Sequence, residues 1–270
     1  VGTDVPIKIA IMGAGGRMGR EVAAAAMDDK EVMIVGAAEA AGNPAIGQDL
    51  GRLCGQPESG IRITADSEAV ALPADVLVEF SAPAASVEHA LLAAQLGKAH
   101  VIGTTGLSAE QMTAVQQAAA QVPILVAPNM SLGVNLLLKI LPLIAKTLGD
   151  GYDVEIVESH HRHKKDAPSG TALALGRAIA QVLGRDWEQA AVYGRQGVKP
   201  RQPGEIGVHA LRAGGNVGEH WVIFGNEGEQ IELSHRAFSR QTFALGALRA
   251  AKFLASRPPG LYTMLDVLEV

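Results

Sequence analysis

Residues 7–29 read IKIAIMGAGGRMGREVAAAAMDD, and this stretch decides the fold. The run 7–13 is short and apolar, the pattern of a buried strand, and the alanine-rich run from about Arg17 favours helix. Between them GAGGRMG, residues 13–19, supplies glycines where a Cβ would block close backbone approach to a phosphate. It also stands at the head of a helix, whose unpaired N–H groups receive anions. The spacing departs from GxGxxG, because Met18 stands where the third glycine normally falls; the turn reads as GxxGxxG through Gly13, Gly16 and Gly19. A glycine turn serving only strand-to-helix packing is the alternative, but its place after the first strand favours a dinucleotide turn.

Outward from that turn the first half alternates. Strands are expected at 31–39, at 74–81 and in AHVIGTTG and VPILVAPN; helices fall in AASVEHALLAAQLG, closed by Gly97, and in SAEQMTAVQQAAAQ, capped by Ser108. Such alternation means parallel βαβ units with right-handed crossovers, hence a doubly wound sheet. After Asn129 the pattern changes. A long helix bending at Pro142, a strand in YDVEIVESHH and a helix in PSGTALALGRAIAQVLG are followed by strand-like runs at 205–212, 218–224 and 230–235. These describe an α+β domain with an open mixed sheet. A final helix in RQTFALGALRAAKFLA returns to the first domain. The fold class is therefore α/β: a Rossmann-like doubly wound parallel sheet plus an α+β domain. The division is 1–129 with 240–270 for the dinucleotide-binding domain, and 130–239 for substrate binding and oligomerisation.

Composition narrows the partners. Of 270 residues 48% are hydrophobic, enough for a well-buried globular chain, and a formal net charge of -5 offers no general attraction to nucleic acid or an anionic membrane. The lone Cys54 excludes an internal disulfide and reads as a small structural residue. No basic leader precedes the first apolar run. The longest later one, 134–148, is interrupted by Lys139, Pro142 and Lys146 and falls short of the ~18 residues of a span. A cytoplasmic protein is expected.

Three further stretches belong with the glycine turn. Glu39 lies 20 residues after Gly19 at the end of the second strand, where a carboxylate can accept both ribose hydroxyls of an adenosine; a solvated loop glutamate is the alternative. GTTG at 103–106 and APNMS at 127–131 each follow the carboxyl end of a predicted strand, where open α/β sheets bind ligands, and offer walls for a nicotinamide. Ala40 and Ala41 supply no guanidinium for a 2′-phosphate, so NADH is expected to serve at least as well as NADPH.

The second half carries VEIVESHHRHKKDAPSGTA, residues 154–172, with three histidines in four residues followed by two lysines. Such crowding of cations is costly unless an anion sits among them. A metal is disfavoured: no cysteine or HxxxH spacing accompanies HHRH, and Arg162, Lys164 and Lys165 repel a cation. An anion site fits better. Lys164 supplies a point charge, Ser169, Gly170 and Thr171 begin a helix after Pro168, and a histidine can deliver a proton near neutral pH. Helix capping alone is the other reading of Ser169 and Thr171.

GAGGRMGR, GTTG and ESHHRHKKDAPSGTA, in that order along nearly the whole chain, resemble the dihydrodipicolinate (4-hydroxy-tetrahydrodipicolinate) reductases of bacterial lysine and diaminopimelate biosynthesis. The HHxxK…DAPSGTA block is the specific part. The resemblance implies hydride transfer from NAD(P)H to C4 of the ring of 4-hydroxy-2,3,4,5-tetrahydrodipicolinate, with loss of water, giving tetrahydrodipicolinate. It implies His160 as general acid/base, Lys164 as proton donor, and His161, Lys164, Ser169, Gly170 and Thr171 as the grip on the substrate carboxylates. Cofactor positions fall on Gly13, Ala14, Gly15, Gly16, Arg17, Met18, Glu39, Gly103, Thr104, Thr105, Ala127, Pro128, Asn129 and Met130. A homotetramer built through the open sheet is expected, with a small cyclic dicarboxylate as partner and no metal.

Two positions depart from the family pattern. By the resemblance, many relatives carry arginine where this chain has Ala40 and, near the FSAP strand end, Ala82. Cationic neighbours of Lys164 are expected to favour its neutral form. Arg240 and Phe243 could touch the cofactor or be a surface ion and a core aromatic. Three rivals stand beside this reading. Another two-domain dehydrogenase would not require DAPSGT; a thiohemiacetal enzyme needs a catalytic cysteine, and Cys54 lies in an early loop; a redox-sensing binding protein has no use for the proton-donating cluster.

Overall fold

The computed structural model describes residues 5–268; residues 1–4 and 269–270, assigned above to the dinucleotide domain, lie outside the described residues. Contacts divide the chain into two compact units, 1–132 with 240–270, and 133–239.

In the first unit β1 (Ile7–Met12) leads into α1 (Arg17–Met27), β2 (Val32–Ala38), the short helices α2 (Leu50–Leu53) and α3 (Ser67–Ala71), β3 (Val76–Glu79), α4 (Pro83–Leu96), β4 (Ala99–Ile102), α5 (Ala109–Ala119) and β5 (Pro123–Val126). Local chemistry sets the helix ends. Proline opens α4 and left-handed Gly97 closes it, while Ser108 and Gln111 form a capping box on α5. The Gly/Pro loop expected after β2 instead contains α2 and α3, whose N-caps are Asp49 and Asp66.

The second unit holds α6 (Leu132–Leu148, its first residue at the boundary), β6 (Asp153–His160), α7 (Gly170–Val182), α8 (Trp187–Ala190), β7 (Ala191–Tyr193), β8 (Ile206–Arg212), β9 (Gly218–Gly225) and β10 (Gln230–Ala237). The chain then re-enters the first unit through α9 (Gln241–Leu254), β11 (Gly260–Tyr262) and α10 (Met264–Val267).

The first sheet runs β11-β5-β4-β3-β1-β2, with every pair parallel. Its inner strands are buried on both faces, β3 and β4 wholly so, as parallel strands between helix layers must be. The chain steps from β1 to β2 on one side and to β3 on the other, so the order reverses beside β1 and leaves a crevice at the carboxyl ends. The second sheet runs β10-β9-β6-β8-β7, with β6, β8 and β7 parallel and β9 and β10 antiparallel. Alternate residues of β6 and β9 are buried, and Val154, Ile156, Val222 and Phe224 pack with Leu137, Leu141, Leu175 and Ile179 of α6 and α7. The α/β class with an open mixed second sheet is as the sequence indicates.

One expectation needs correction. Residues 132–151 do reach the length and mean hydropathy (1.5) of a membrane span. The helix runs through Pro142, and its Leu137, Leu141 and Ala145 are buried in the core with the second sheet, while Leu136 and Leu143 are exposed.

Candidate active site

The glycine turn is built as a close approach. Gly13 is left-handed (φ 77°), and a Cβ there would stand 2.6 Å from the Phe80 carbonyl oxygen; a Cβ on Gly19 would meet the Gly13 carbonyl at 2.1 Å. Gly16 is the N-cap of α1, with no side-chain cap and no acid in the first turn, so no side chain of the helix itself occupies its first N–H groups. Glu39, at the end of β2, accepts from the Gly15 N–H (2.8 Å) and the Ala40 N–H (2.9 Å), which pins its carboxylate beside the turn.

Two cavities flank this turn. One, about 440 Å³, is lined by Gly13, Glu39, Ala40, Ala41, Ser67, Ala82 and His89 among others. The second, about 450 Å³, is walled by Arg17, Met18, Phe80, Gly103, Thr104, Thr105, Pro128, Asn129 and Met130, joined by Arg240 and Phe243. The structure thus places Arg240 and Phe243 with the predicted nicotinamide walls. Thr104 Oγ1 accepts from Ser81 N–H (3.0 Å) and Asn129 Oδ1 from Ser131 N–H (2.9 Å), so both loops are braced. Ala127 is buried behind them. The cradle fits a dinucleotide: glycines where a Cβ would obstruct, an open helix N-terminus, and a carboxylate 20 residues on.

Beneath this crevice Glu79 is fully buried among His89, His100, Ser81 and Ser86. Burial alone would raise its carboxyl, but hydrogen bonds and charge from His100 and His89 hold it well below the ordinary range. Cys54 is half-buried, and burial pushes its thiol up, the condition of an unreactive cysteine.

The second unit gathers the other cluster. Strand alternation puts Glu158 and His160 on one face of β6. Glu158 is fully buried and accepts from His160 Nδ1 (2.6 Å), from both Arg212 terminal nitrogens (2.8 Å each) and from the Ser169 N–H (2.9 Å). Burial raises this carboxyl, yet those bonds prevail and hold it at about 2. Ser169 Oγ caps α7 by accepting from Ala172 N–H (3.1 Å) and bonds His220 Nε2 (3.0 Å). Burial above all, with a smaller contribution from the neighbouring His160, pushes His220 down to about 3, so it is neutral. His160 and His220 meet edge to face, ring centroids 5.3 Å apart.

The loop after β6 is tied to the β8–β9 connection: His161 N–H donates to Asn216 O (2.7 Å) and Arg162 N–H to Gly214 O (3.2 Å). Lys164 Nζ lies 2.9 Å from the Asp166 carboxylate, which stands beside the lysine together with the cationic residues around it in the sequence. The Ser169 N–H and hydroxyl are both engaged within the protein, and Gly170 and Thr171 are the first helical residues of α7. Among the described residues no group of three or more His, Cys, Asp or Glu is placed to hold a metal.

A family model for the dihydrodipicolinate reductase N-terminus matches residues 7–130, and one for its C-terminus matches 133–268. The chain belongs to the dihydrodipicolinate reductase family. A 4-hydroxy-tetrahydrodipicolinate reductase of Rubrobacter xylanophilus is 56% identical over 262 residues, covering 97% of this chain and 98% of that one. One from Burkholderia ambifaria is 49% identical over 263 residues, covering 97% and 99%. Among solved structures, a dipicolinate-bound dihydrodipicolinate reductase from Paenisporosarcina sp. TG-14 superposes with a TM-score of 0.75 at 28% identity, covering 96% and 98%. An amine dehydrogenase from Mycobacterium smegmatis, 18% identical with a TM-score of 0.63 over 96% and 95%, shares the fold.

In this member of the dihydrodipicolinate reductase family the sequence-derived residues fall into two groups, one in each unit. The carboxylate joining His160 to Ser169 escaped the sequence reading, although Glu158 stands two residues before His160, a spacing that shares a strand face. Arg212 and His220 gave no local signal, because strand register brings them in.

Proposed function

We propose that this chain catalyses the NAD(P)H-dependent reduction of 4-hydroxy-2,3,4,5-tetrahydrodipicolinate to tetrahydrodipicolinate, a step of diaminopimelate and lysine biosynthesis. One hydride and one proton are added and one water leaves. The observation that carries this reading is that a single buried carboxylate, Glu158, bonds both an imidazole able to pass protons and the N-cap of an anion-receiving helix. It does so in a chain whose two halves both match the reductase family.

A bound dihydronicotinamide supplies the hydride. The open N-terminus of α1 and its glycine turn would hold the diphosphate, Glu39 the ribose hydroxyls, and Thr104, Thr105, Asn129 and Met130 the nicotinamide. On the second unit the N–H groups of Gly170 and Thr171, with Lys164 and His161, would hold the ring carboxylates. Lys164 and His160 would deliver the proton that neutralises charge built up by hydride addition. The dipicolinate bound by the Paenisporosarcina enzyme supports a cyclic dicarboxylate as ligand.

NADH should serve at least as well as NADPH. Among the described residues lining the cavity beside Glu39 there is no lysine or arginine, and Ala40, Ala41 and Ala82 stand where a 2′-phosphate would need a cation. A kcat/KM ratio favouring NADPH more than tenfold refutes this. The open face of the second sheet, which carries Val157, Trp221 and Ile223 at alternate positions, supports a homotetramer. A cytoplasmic location and no nucleic-acid or membrane partner complete the reading.

The deciding assay follows NADH oxidation with substrate made freshly from pyruvate and aspartate semialdehyde by the preceding enzyme, with and without pyridine-2,6-dicarboxylate. Substrate-dependent oxidation blocked by that dicarboxylate is expected; no oxidation with either nucleotide overturns the proposal.

A further inference from the structure

We propose that Glu158 and Arg212 are positioning residues: one buried carboxylate, clamped by one guanidinium fork, sets the Nδ1–H tautomer of His160 and locks it to the anion-holding turn of α7. The inference rests on His160 serving the reaction proposed above.

Glu158 is fully buried on the covered face of its sheet, so substrate does not reach it and it acts through its partners. Every bond it makes is one it accepts. Oε2 takes His160 Nδ1 and Arg212 Nη1; Oε1 takes Arg212 Nη2 and the Ser169 N–H. A carboxylate facing an arginine fork and a backbone N–H is acceptor-only, so at 2.6 Å the imidazole must be the donor at Nδ1. The tautomer follows: Nε2 is left as the nitrogen that can take up or release a proton.

Rigidity follows from the same planar group. Its two oxygens lie in one plane with Cδ, so holding His160 on one and Ser169, 11 residues after Glu158, on the other fixes a proton carrier against a helix N-terminus. Arg212, opposite His160 in the β6–β8 register, extends the frame. Its Nη2 also donates to the Asp166 carbonyl oxygen (2.6 Å), in the loop that carries Lys164. Thus one guanidinium reaches the supports of the imidazole, the helix turn and the lysine loop. The other titratable or charged groups around this frame are Lys164 and Asp166 on the loop, His220 on β9 and His235 on β10.

Glu158→Gln keeps the shape, but one of its two terminal atoms becomes a donor, so it cannot accept from the imidazole and the whole fork together. The expected result is a kcat at least 100-fold lower, KM for NADH within twofold of wild type and a displaced pH profile of kcat. Long-range 1H–15N spectra of histidine-labelled protein, with His160 assigned by the peaks lost in His160→Asn, should show Nδ1–H in wild type and a shift toward Nε2–H in Glu158→Gln. Arg212→Lys keeps the charge without the fork and should lower kcat about tenfold with the Nδ1–H tautomer retained. The proposal is overturned by an Nε2–H tautomer in the wild type, an unchanged tautomer in Glu158→Gln, or kcat within threefold of wild type in either variant. Should Glu158→Gln not fold, the wild-type spectrum and Arg212→Lys decide. A wild type without turnover refutes the reaction, while the tautomer comparison still tests the frame.

Discussion

Gly218→Ala tests the geometry at a single point. An ideal Cβ on Gly218 would stand 2.9 Å from His160 Nε2 and 3.2 Å and 3.7 Å from its Cδ2 and Cε1; no other side chain is among its three nearest atoms. Ordinary contact between such atoms begins near ~3.5 Å, so the methyl demands that the ring retreat by roughly 0.6–1 Å. Retreat is opposed on the other edge, where Nδ1 is held at 2.6 Å by Glu158. A misplacement of about 1 Å can cost ~100-fold in rate, so kcat is expected to fall about 30- to 100-fold. KM for NADH should stay put, because the nucleotide cradle belongs to the other unit. Overpacking of this kind costs about 1–3 kcal/mol, visible as a modest fall in Tm. The assay is NADH oxidation at saturating substrate, with Gly215→Ala as control, since a Cβ there meets nothing within 4 Å. A kcat within threefold of wild type for Gly218→Ala would refute the assignment of His160 to the chemistry.

Other expectations are briefer. Lys164→Ala should lower kcat by ~100-fold or more; its ion-pair partner Asp166 is exposed, so stability should change by less than about 1 kcal/mol, and kcat within threefold of wild type rules the lysine out as proton donor. His220 is held at about 3 against 6.5 for an ordinary histidine, so the unfolded chain binds the extra proton first and stability falls as pH drops from 6.5 toward 3. Glu158, at about 2 against 4.5, adds stability above 4.5 that is lost as pH falls toward 2. His220→Asn should flatten the upper part of that decline in urea midpoints measured across the window, and an unchanged slope contradicts the buried neutral state. Light scattering should give the mass of four chains; the mass of one refutes the assembly.

Much of the first unit was legible because its signals are local. An apolar run, a glycine turn and an alanine-rich helix need no distant partner to declare themselves. The strand Gly260–Tyr262 carries no such pattern in three residues and exists because the edge of β5 accepts it; Ala191–Tyr193 likewise forms on the edge of β8. The same distinction divides the site. Gly13, Glu39, His160 and Lys164 stand in motifs, whereas Arg212 and His220 enter through cross-strand register, which no linear spacing encodes. Ser169 shows the limit of motif reading: its position was visible, but the carboxylate and imidazole that occupy its polar atoms were not.

The return of the chain into its first unit has a consequence for synthesis. Helix α9 covers β3, β4 and β5, and β11 completes the sheet edge, yet both are made only after the whole second unit. At ~5–20 residues per second, a ribosome needs on the order of ten seconds between the end of β5 and the start of α9. For that interval the nascent nucleotide unit carries an apolar sheet face without its helix, while the inserted unit, whose elements are contiguous, can complete itself. The first sheet is therefore completed only after the second unit has been made, when α9 and β11 become available to it.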